Sequence, residues 1–211
     1  MSIQRLVVDS TGFKGELCQL GVKFNADKSV YNTHPGLHKH PYTAVYQMLL
    51  AQYKNKPIDL CEIGLAGGSS AAMWLAYFPL GKFLFLDRDM NFLNNFAKLN
   101  TPRTTLKLVD VGVDLNLLRA LGDKKFDVIV DDSSHVFDHQ IRIVQEAFPS
   151  LKPGGILIVE DIYRSESEKK YEDALKDTLK HCAFASFVIT NHEDKVDTGW
   201  NNSKLLVLIK G

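Results

Sequence analysis

The chain has 211 residues, a length that fits one domain able to bury most of its apolar surface. Lys and Arg total 25, as do Asp and Glu, so no overall field favours binding to nucleic acid or to a membrane surface. The sequence has no apolar run of membrane-spanning length and no signal-peptide pattern at its N-terminus. Its three cysteines are odd in number and widely spaced, which is typical of reduced thiols in a cytoplasmic protein.

Residues 1–40 are the least regular part of the chain. Two short apolar stretches, 6–8 and 17–20, do not distinguish a strand from a turn. Residues 25–41 are polar and rich in turn formers, so a solvated loop is expected there. Residues 42–53 place apolar side chains on one face, with Pro41 at the first turn, which predicts a helix.

From residue 58 onward, predicted strands and helices alternate, as they do in an open α/β sheet. Strands are predicted at residues 58–63, 83–86, 106–109, 126–130, 156–159, 184–190 and 205–209. Helices are predicted at residues 69–77, 91–99, 115–121, 136–148 and 166–182. The last two strands have no helix between them, which favours an antiparallel hairpin at one edge. We therefore predict an α/β fold, Rossmann-like and doubly wound, with a mostly parallel seven-stranded sheet and a C-terminal antiparallel hairpin. Residues 1–211 would form a single domain with its core at 54–211.

Carboxylate pairs follow two strands that one helical crossover connects. The strand at 126–130 is followed by Asp131 and Asp132, and the strand at 156–159 is followed by Glu160 and Asp161. Strands joined in this way are parallel, so their carboxyl ends lie at the same edge, where such sheets bind ligands. If the strands are neighbours, the two acidic pairs lie close together. Four carboxylates in one place require a cation or a hydrogen-bond network.

A glycine-rich turn at residues 64–68 follows the first strand of the core and precedes a helix. Glycine lets the backbone approach a ligand, and a helix N-terminus favours negative charge. The turn has neither the GxGxxG spacing of a dinucleotide site nor the GxxxxGK[ST] of a P-loop, and a plain tight turn is the competing interpretation. Asp87 ends the second strand, where it can accept hydrogen bonds from two ribose hydroxyls, and Asp110 ends the third. Capping of the following helix is the alternative for each.

Together these residues resemble those of a known family. The order Glu62, Gly64, Asp87, Asp110 and Asp131 is similar to that of class I S-adenosylmethionine-dependent methyltransferases. Within that class, residues 131–135 with the pair 160–161 resemble the metal-dependent O-methyltransferases that act on macrolide and rhamnosyl sugars, a group that includes proteins called cephalosporin hydroxylases. The resemblance covers roughly residue 27 to the C-terminus. It departs from the family at residue 133, where Ser replaces the common Gly, and in length, because the macrolide enzymes have an extra N-terminal domain.

The resemblance implies a role for each residue of the site. It assigns S-adenosylmethionine, the cofactor, to Lys28, Glu62, Gly64, Gly67, Ser69, Asp87, Asp110 and Asp131. It assigns Mg²⁺ or another hard divalent cation to Asp132, Glu160 and Asp161, and the role of general base to His135. It also implies that the polar N-terminal segment, within residues 1–53, is a lid over the cofactor.

This division of roles agrees with elementary chemistry. Carboxylate oxygens suit Mg²⁺. An alcohol is barely ionised near neutrality, but coordination to a metal lowers its pKa, and an imidazole with a pKa of ~6.5 can remove the proton. The competing interpretation of Asp132 and His135 is that they cap the following helix. For the pair 160–161, the competing interpretation is a capping and surface role. His139, one turn after His135, orients it or is solvated, and we favour the latter.

The predicted function is therefore Mg²⁺-dependent methyl transfer from S-adenosylmethionine to a hydroxyl of a sugar or sugar-bearing small molecule. A catechol-type O-methyltransferase is one alternative, although such enzymes normally use a lysine base near the metal. A catalytically silent S-adenosylmethionine-binding domain is another, and the three metal carboxylates argue against it. The loops at residues 163–168 and 198–202 would select the acceptor, which the sequence leaves open together with homo-oligomerisation.

Overall fold

A computed structural model describes residues 2–34, 38–195 and 201–211. The strands are β1 (Gln4–Asp9), β2 (Asp59–Ile63), β3 (Lys82–Asp87), β4 (Thr104–Leu108), β5 (Phe126–Asp131), β6 (Leu151–Val159), β7 (Cys182–Asn191) and β8 (Lys204–Lys210). The helices are α1 (Glu16–Lys23), α2 (Tyr42–Leu50), α3 (Ser69–Tyr77), α4 (Met90–Ala97), α5 (Asn116–Leu121), α6 (Phe137–Ala147), α7 (Glu168–Ala174) and α8 (Lys176–Leu179). Short 3₁₀ turns extend α2 over Ala51–Tyr53 and α6 over Phe148–Ser150.

All eight strands form one sheet in the order β1-β7-β8-β6-β5-β2-β3-β4. Strand β8 is antiparallel to both of its neighbours, β6 and β7. All other neighbouring strands are parallel. The predicted α/β class and the C-terminal antiparallel hairpin are confirmed. The sheet has eight strands rather than the predicted seven, because β1 pairs in parallel with the outer edge of β7, from Gln4 opposite Ser186 to Asp9 opposite Asn191.

Within the described part of the chain, four helices cover each face of the sheet. Consecutive side chains of a strand point to opposite faces, so Leu60 and Cys61 of β2 belong to different apolar clusters. Helices α1 to α4 contribute side chains such as Trp74 to the cluster with Leu60. Helices α5 to α8 contribute side chains such as Ile143 to the cluster with Cys61. This layering leaves the ends of the strands free to hold a site.

The region predicted as one helix at 166–182 is two short helices, α7 and α8, followed by β7. Leu175 lies between them with φ −101° and ψ 11°, outside the helical range, and its side chain is fully buried. The break lets Tyr171, Leu175 and Leu179 all enter the same apolar cluster. Cys18, Cys61 and Cys182 are buried free thiols. Within the described residues, every helix is too short or too polar to cross a membrane.

Candidate active site

The carboxyl ends of four parallel strands meet at one edge of the sheet. Strands β3, β2, β5 and β6 are neighbours in that order. Ile63 of β2 lies opposite both Leu86 of β3 and Asp131 of β5, and Asp131 lies opposite Val159 of β6. The strands therefore end at the same level, and the acidic residues at or just after each end are brought together.

The glycine-rich turn after β2 is packed against the loop after β5. Gly64 has φ +97°, and a Cβ at this position would lie 1.9 Å from the carbonyl oxygen of Asp132, so only glycine fits. Gly68 has φ +79° and precedes α3, whose first residue is Ser69. Gly67, between Gly64 and Gly68, has open space where a Cβ would lie. The turn thus presents backbone and a helix N-terminus towards the edge of the sheet.

Asp87, at the end of β3, holds the glycine-rich turn in place. Its Oδ2 accepts hydrogen bonds from the backbone N–H groups of Leu65, at 2.8 Å, and Ala66, at 2.9 Å. Its Oδ1 accepts from the N–H of Asp89 at 2.8 Å. A carboxylate has about four acceptor sites, so Asp87 keeps capacity for a ligand hydroxyl.

A cleft lies between this turn and the ends of β3, β4 and β5. It is lined by Gly64, Asp87 and Asp110, which are three of the predicted cofactor residues, together with Ile63, Leu86, Arg88, Val109, Val111, Ser133, Ser134 and His139. Ser134 Oγ and His139 Nδ1 are 2.8 Å apart. The sequence favours a solvated His139, whereas the structure places it, half-buried, in the lining of this cleft.

Asp131 and Glu62 are buried acids beside the cleft. Burial raises the pKa of Asp131 to about 6, although Ser133 donates a hydrogen bond from its Oγ to Asp131 Oδ1 at 2.6 Å. Burial likewise raises the pKa of Glu62 to about 7, with Lys28 opposing the shift. Glu62 Oε1 accepts from Trp74 Nε1 at 3.1 Å, whereas its buried Oε2 has no hydrogen-bond partner among the described residues. An unpaired buried acceptor of this kind suits a ligand ammonium group.

Lys28 is a buried cation among the predicted metal ligands. Its Nζ lies 2.6 Å from Asp132 Oδ2 and 2.7 Å from Glu160 Oε2, and 3.9 Å from Glu62 Oε1. Its side chain is 1% exposed. Burial alone would lower the pKa of Lys28, but these carboxylates raise it well above its ordinary value. Lys28 is therefore an ammonium group, and it does not line the cleft described above.

A group suited to a metal ion lies beside Lys28 and includes its partner Asp132. Of the described residues, Asp132, His135 and Asp161 offer ligand atoms that all lie within 4.8 Å of one another. His135 Nε2 is 3.5 Å from Asp161 Oδ2. Tyr42 donates a hydrogen bond from its hydroxyl to Asp161 Oδ1 at 2.7 Å. His135 and Asp161 adopt φ values of +57° and +56°, so both turns bend out of regular backbone to face each other.

Glu160 is oriented differently from the other two predicted metal ligands. One of its oxygens accepts the hydrogen bond from Lys28, and the other accepts a short hydrogen bond from the hydroxyl of Tyr46. The side chain is buried, and burial raises the pKa of Glu160 well above its ordinary value. The structure thus brings Asp132 and Asp161 together with His135, and it holds Glu160 behind Lys28.

Sequence reasoning did not identify the two tyrosines of this site. Tyr42 and Tyr46 lie four residues apart on α2, so they share one helix face, and this face was interpreted as purely apolar. Their hydroxyls are buried, and burial raises the pKa of both well above the ordinary value. The available signal was the i, i+4 spacing of two side chains that each combine an apolar ring with a hydroxyl.

This arrangement defines a class of protein. An open sheet of parallel strands, with one antiparallel strand and acids at the ends of the core strands around a glycine-rich turn, is the Rossmann-like methyltransferase fold. Residues 61–162, just under half of the chain, match the model of a family described as a methyltransferase domain. The methyltransferase resemblance is thereby confirmed over that segment.

Curated relatives support the same class. A rhamnosyl tetracenomycin-C 2′-O-methyltransferase of Streptomyces olivaceus is 32% identical over 135 residues, which are 60% of this chain and 34% of the relative. The mycinamicin VI 2″-O-methyltransferase of Micromonospora griseorubida is 27% identical over 134 residues, which are 59% of this chain and 32% of the relative. This chain spans about a third of the length of these relatives.

Solved structures share the fold. The MycE methyltransferase of mycinamycin biosynthesis, in complex with Mg, SAH and mycinamycin VI, superposes with a TM-score of 0.67 at 21% identity. The superposition covers 94% of this chain and 55% of MycE. The O-methyltransferase TomG of Streptomyces achromogenes, in complex with SAM, has a TM-score of 0.56 at 16% identity, covering 94% and 91% of the two chains.

Proposed function

We propose that this protein transfers a methyl group from S-adenosylmethionine to a hydroxyl of a sugar or sugar-bearing small molecule, with Mg²⁺ or another hard divalent cation bound. The main support is the group of Asp132, His135 and Asp161 beside the glycine-rich turn of a methyltransferase-type sheet. The acceptor class is supported by the relatives, which are named as methyltransferases of rhamnosyl and macrolide compounds. The two small-molecule ligands are supported by the MycE complex, which contains Mg and SAH.

The cofactor residues proposed are those around the cleft. Gly64, Gly67 and Ser69 would present backbone to it, and Asp87 and Asp110 would accept hydrogen bonds from it. Glu62, whose buried Oε2 is unpaired, would accept from its ammonium group. Asp131 would support the loop that closes the cleft through its hydrogen bond to Ser133. A polar N-terminal segment within residues 1–53 would cover these residues as a lid.

The reacting hydroxyl would be held and deprotonated at the acidic group. When bound, S-adenosylmethionine supplies an electrophilic methyl group and the divalent cation lowers the pKa of a coordinated hydroxyl. Asp132 and Asp161 would hold the cation, whereas Glu160, the third acid that the family resemblance assigns to it, is engaged by Lys28 and Tyr46. His135 Nε2 would take the proton, and Asp161 Oδ2, 3.5 Å from that nitrogen, would stabilise the ring once it is charged.

One observation bears on the catechol-type alternative. Such enzymes normally use a lysine base near the metal, and Lys28 lies at the predicted metal carboxylates. Its ammonium group, however, donates hydrogen bonds to two carboxylates and has no lone pair for a proton. His135 is partly exposed, with 28% of its side chain accessible, and is better placed to reach an acceptor hydroxyl.

A cytoplasmic location is also proposed, and the three buried free thiols support it.

Methyl transfer from labelled S-adenosylmethionine tests the proposal. We expect label to pass to rhamnosylated or macrolide acceptors, to stop when a chelator is added, and to resume with excess MgCl₂. Transfer to simple catechols but not to glycosylated acceptors would establish the catechol-type alternative. Tight cofactor binding without transfer to any hydroxyl would indicate a silent binding domain, and transfer unaffected by chelator would contradict the metal.

A further inference from the structure

Lys28 is fixed in the site by its backbone as well as by its ammonium group. The carbonyl oxygen of Lys28 accepts hydrogen bonds from the N–H groups of Tyr42 and Thr43, at 3.1 and 3.0 Å, in the first turn of α2. The next residue, Ser29, is fully buried, and its Oγ donates to the carbonyl of Cys18 at 3.1 Å. The position of the charge is therefore built into the fold.

The ammonium group of Lys28 uses the same oxygens that a divalent cation would need. It bonds one oxygen of Asp132 and one of Glu160, and the hydroxyl of Tyr46 bonds the other oxygen of Glu160. Both oxygens of Glu160 are thus engaged. Among the described residues, the ligand atoms that lie within 4.8 Å of one another belong instead to Asp132, His135 and Asp161.

We infer that Lys28 is an internal cation of the proposed metal site, which keeps Glu160 away from the divalent ion and weakens the binding of that ion. The inference rests on the proposed metal dependence and adds to it a residue that sets the affinity. Two like charges next to the same carboxylate repel, and inside a protein this repulsion is strong. The same charge offsets part of the negative charge of Asp132 and Glu160 when no divalent cation is bound.

The test replaces the charge and keeps most of the volume. Lys28→Met is compared with the wild-type protein by titration with MgCl₂ in a calorimeter and by thermal unfolding with and without MgCl₂. We expect the variant to bind Mg²⁺ more tightly, by about tenfold or more, because a neighbouring positive charge is removed. We also expect a lower melting temperature without metal and a larger rise when MgCl₂ is added.

Lys204→Met is the matched control. Lys204 is also 1% exposed, but its Nζ donates to the carbonyl of Glu166 and lies 3.8 Å from Glu168 Oε1, so its charge faces other acids than those of the site. Its substitution should lower the melting temperature without changing Mg²⁺ affinity. Lys28→Arg retains the charge and should keep an affinity close to that of the wild type.

The outcomes separate this inference from the proposed function. Weaker or unchanged Mg²⁺ binding in Lys28→Met would overturn the role of Lys28 alone, because a purely structural lysine would give that result. Absence of Mg²⁺ binding in every variant would overturn both. If Lys28→Met folds only in the presence of MgCl₂, the exchange of one cation for another is supported, whereas failure to fold with or without MgCl₂ overturns it.

Discussion

Asp87 illustrates how a single carboxylate can serve both the fold and a ligand. It fixes the backbone of Leu65 and Ala66 while facing the cleft. We expect Asp87→Ala to weaken binding of S-adenosylmethionine by about 1–3 kcal/mol, because ligand hydroxyls would be left unpaired. Calorimetry measures this, with Asp89→Ala as the control, since Asp89 caps α4 through the N–H of Asn91 and does not line the cleft.

NAD is the second ligand to test by calorimetry, because its binding would distinguish a dinucleotide site from a site for S-adenosylmethionine. We expect it not to bind, since the turn lacks the spacing of a dinucleotide site. Tight binding of NAD, or unchanged binding of S-adenosylmethionine by Asp87→Ala, would contradict the cofactor assignment.

The proposed role of His135 is that of a general base, and substitution distinguishes this role from that of a metal ligand. We expect His135→Ala to bind metal and cofactor normally while kcat falls by roughly 10²–10⁴-fold, the usual loss for a positioned base. His135→Asn should give the same result with less strain, because Asn tolerates the left-handed backbone at φ +57°. His181→Ala, at an exposed histidine, is the control.

The geometry also allows the opposite result. His135 is one of the three residues able to hold a metal. Loss of metal binding with an unchanged metal-saturated rate would make His135 a ligand. The proposed base would then be wrong even if fold and cofactor were right.

At the scale of elements, the N-terminal segment is the part whose behaviour should depend on ligand. Its backbone is tied to the chain before α2, since the N–H of His40 donates to the carbonyl of Asp27 at 2.8 Å. We expect hydrogen exchange in residues 25–34 and 38–40 to slow when S-adenosylmethionine is added. Helix α8, which packs beside the far end of β7, should exchange at the same rate in both states. Unchanged exchange in the N-terminal segment would make it a permanent structural arm.

The strands of the core could be predicted from local pattern, but β1 could not. The core strands are continuous apolar runs followed by turn residues, and that pattern is complete within each segment. In β1 the exposed Leu6 and Val7 show no such burial, because the strand depends on pairing with β7. The division of the predicted helix at Leu175 likewise follows from packing against the sheet.

The acids of the site could be predicted from the sequence, but the groups that each acid contacts could not. Parallel strand ends place Asp132 and Glu160 at one edge by topology alone. Their hydrogen-bond partners are Lys28, which lies more than a hundred residues away in sequence and contacts both acids, and the hydroxyl of Tyr46, which contacts Glu160. No local pattern encodes such a contact.

For the whole molecule, buried acids link stability to pH. Glu62 has a pKa of about 7 in the folded protein, against an ordinary value of 4.5. The folded state therefore holds more protons than the unfolded state between these values, and its stability falls as pH rises through that window. We expect the free energy of unfolding to drop between pH 5 and pH 8, with Glu62 contributing on the order of 1–3 kcal/mol.

Denaturant unfolding of ligand-free protein at both pH values checks this expectation. Glu62→Gln should show a smaller drop than the wild type, because its neutral amide cannot release a proton. Glu16→Gln, at an exposed acid, should retain the full wild-type dependence. Equal pH dependence in wild type and Glu62→Gln would show that Glu62 titrates in the same way folded and unfolded.

The pairing of β1 with β7 has a consequence for synthesis. Gln4 lies opposite Ser186, so β1 has no native partner until β7 has also been synthesised. Closing so long a loop costs conformational entropy before any contact repays it. Until then the outer edge of β7 has unpaired backbone groups, the usual starting point for pairing between chains. Pairing with β1 therefore covers a strand edge that would otherwise be available to other copies of the chain.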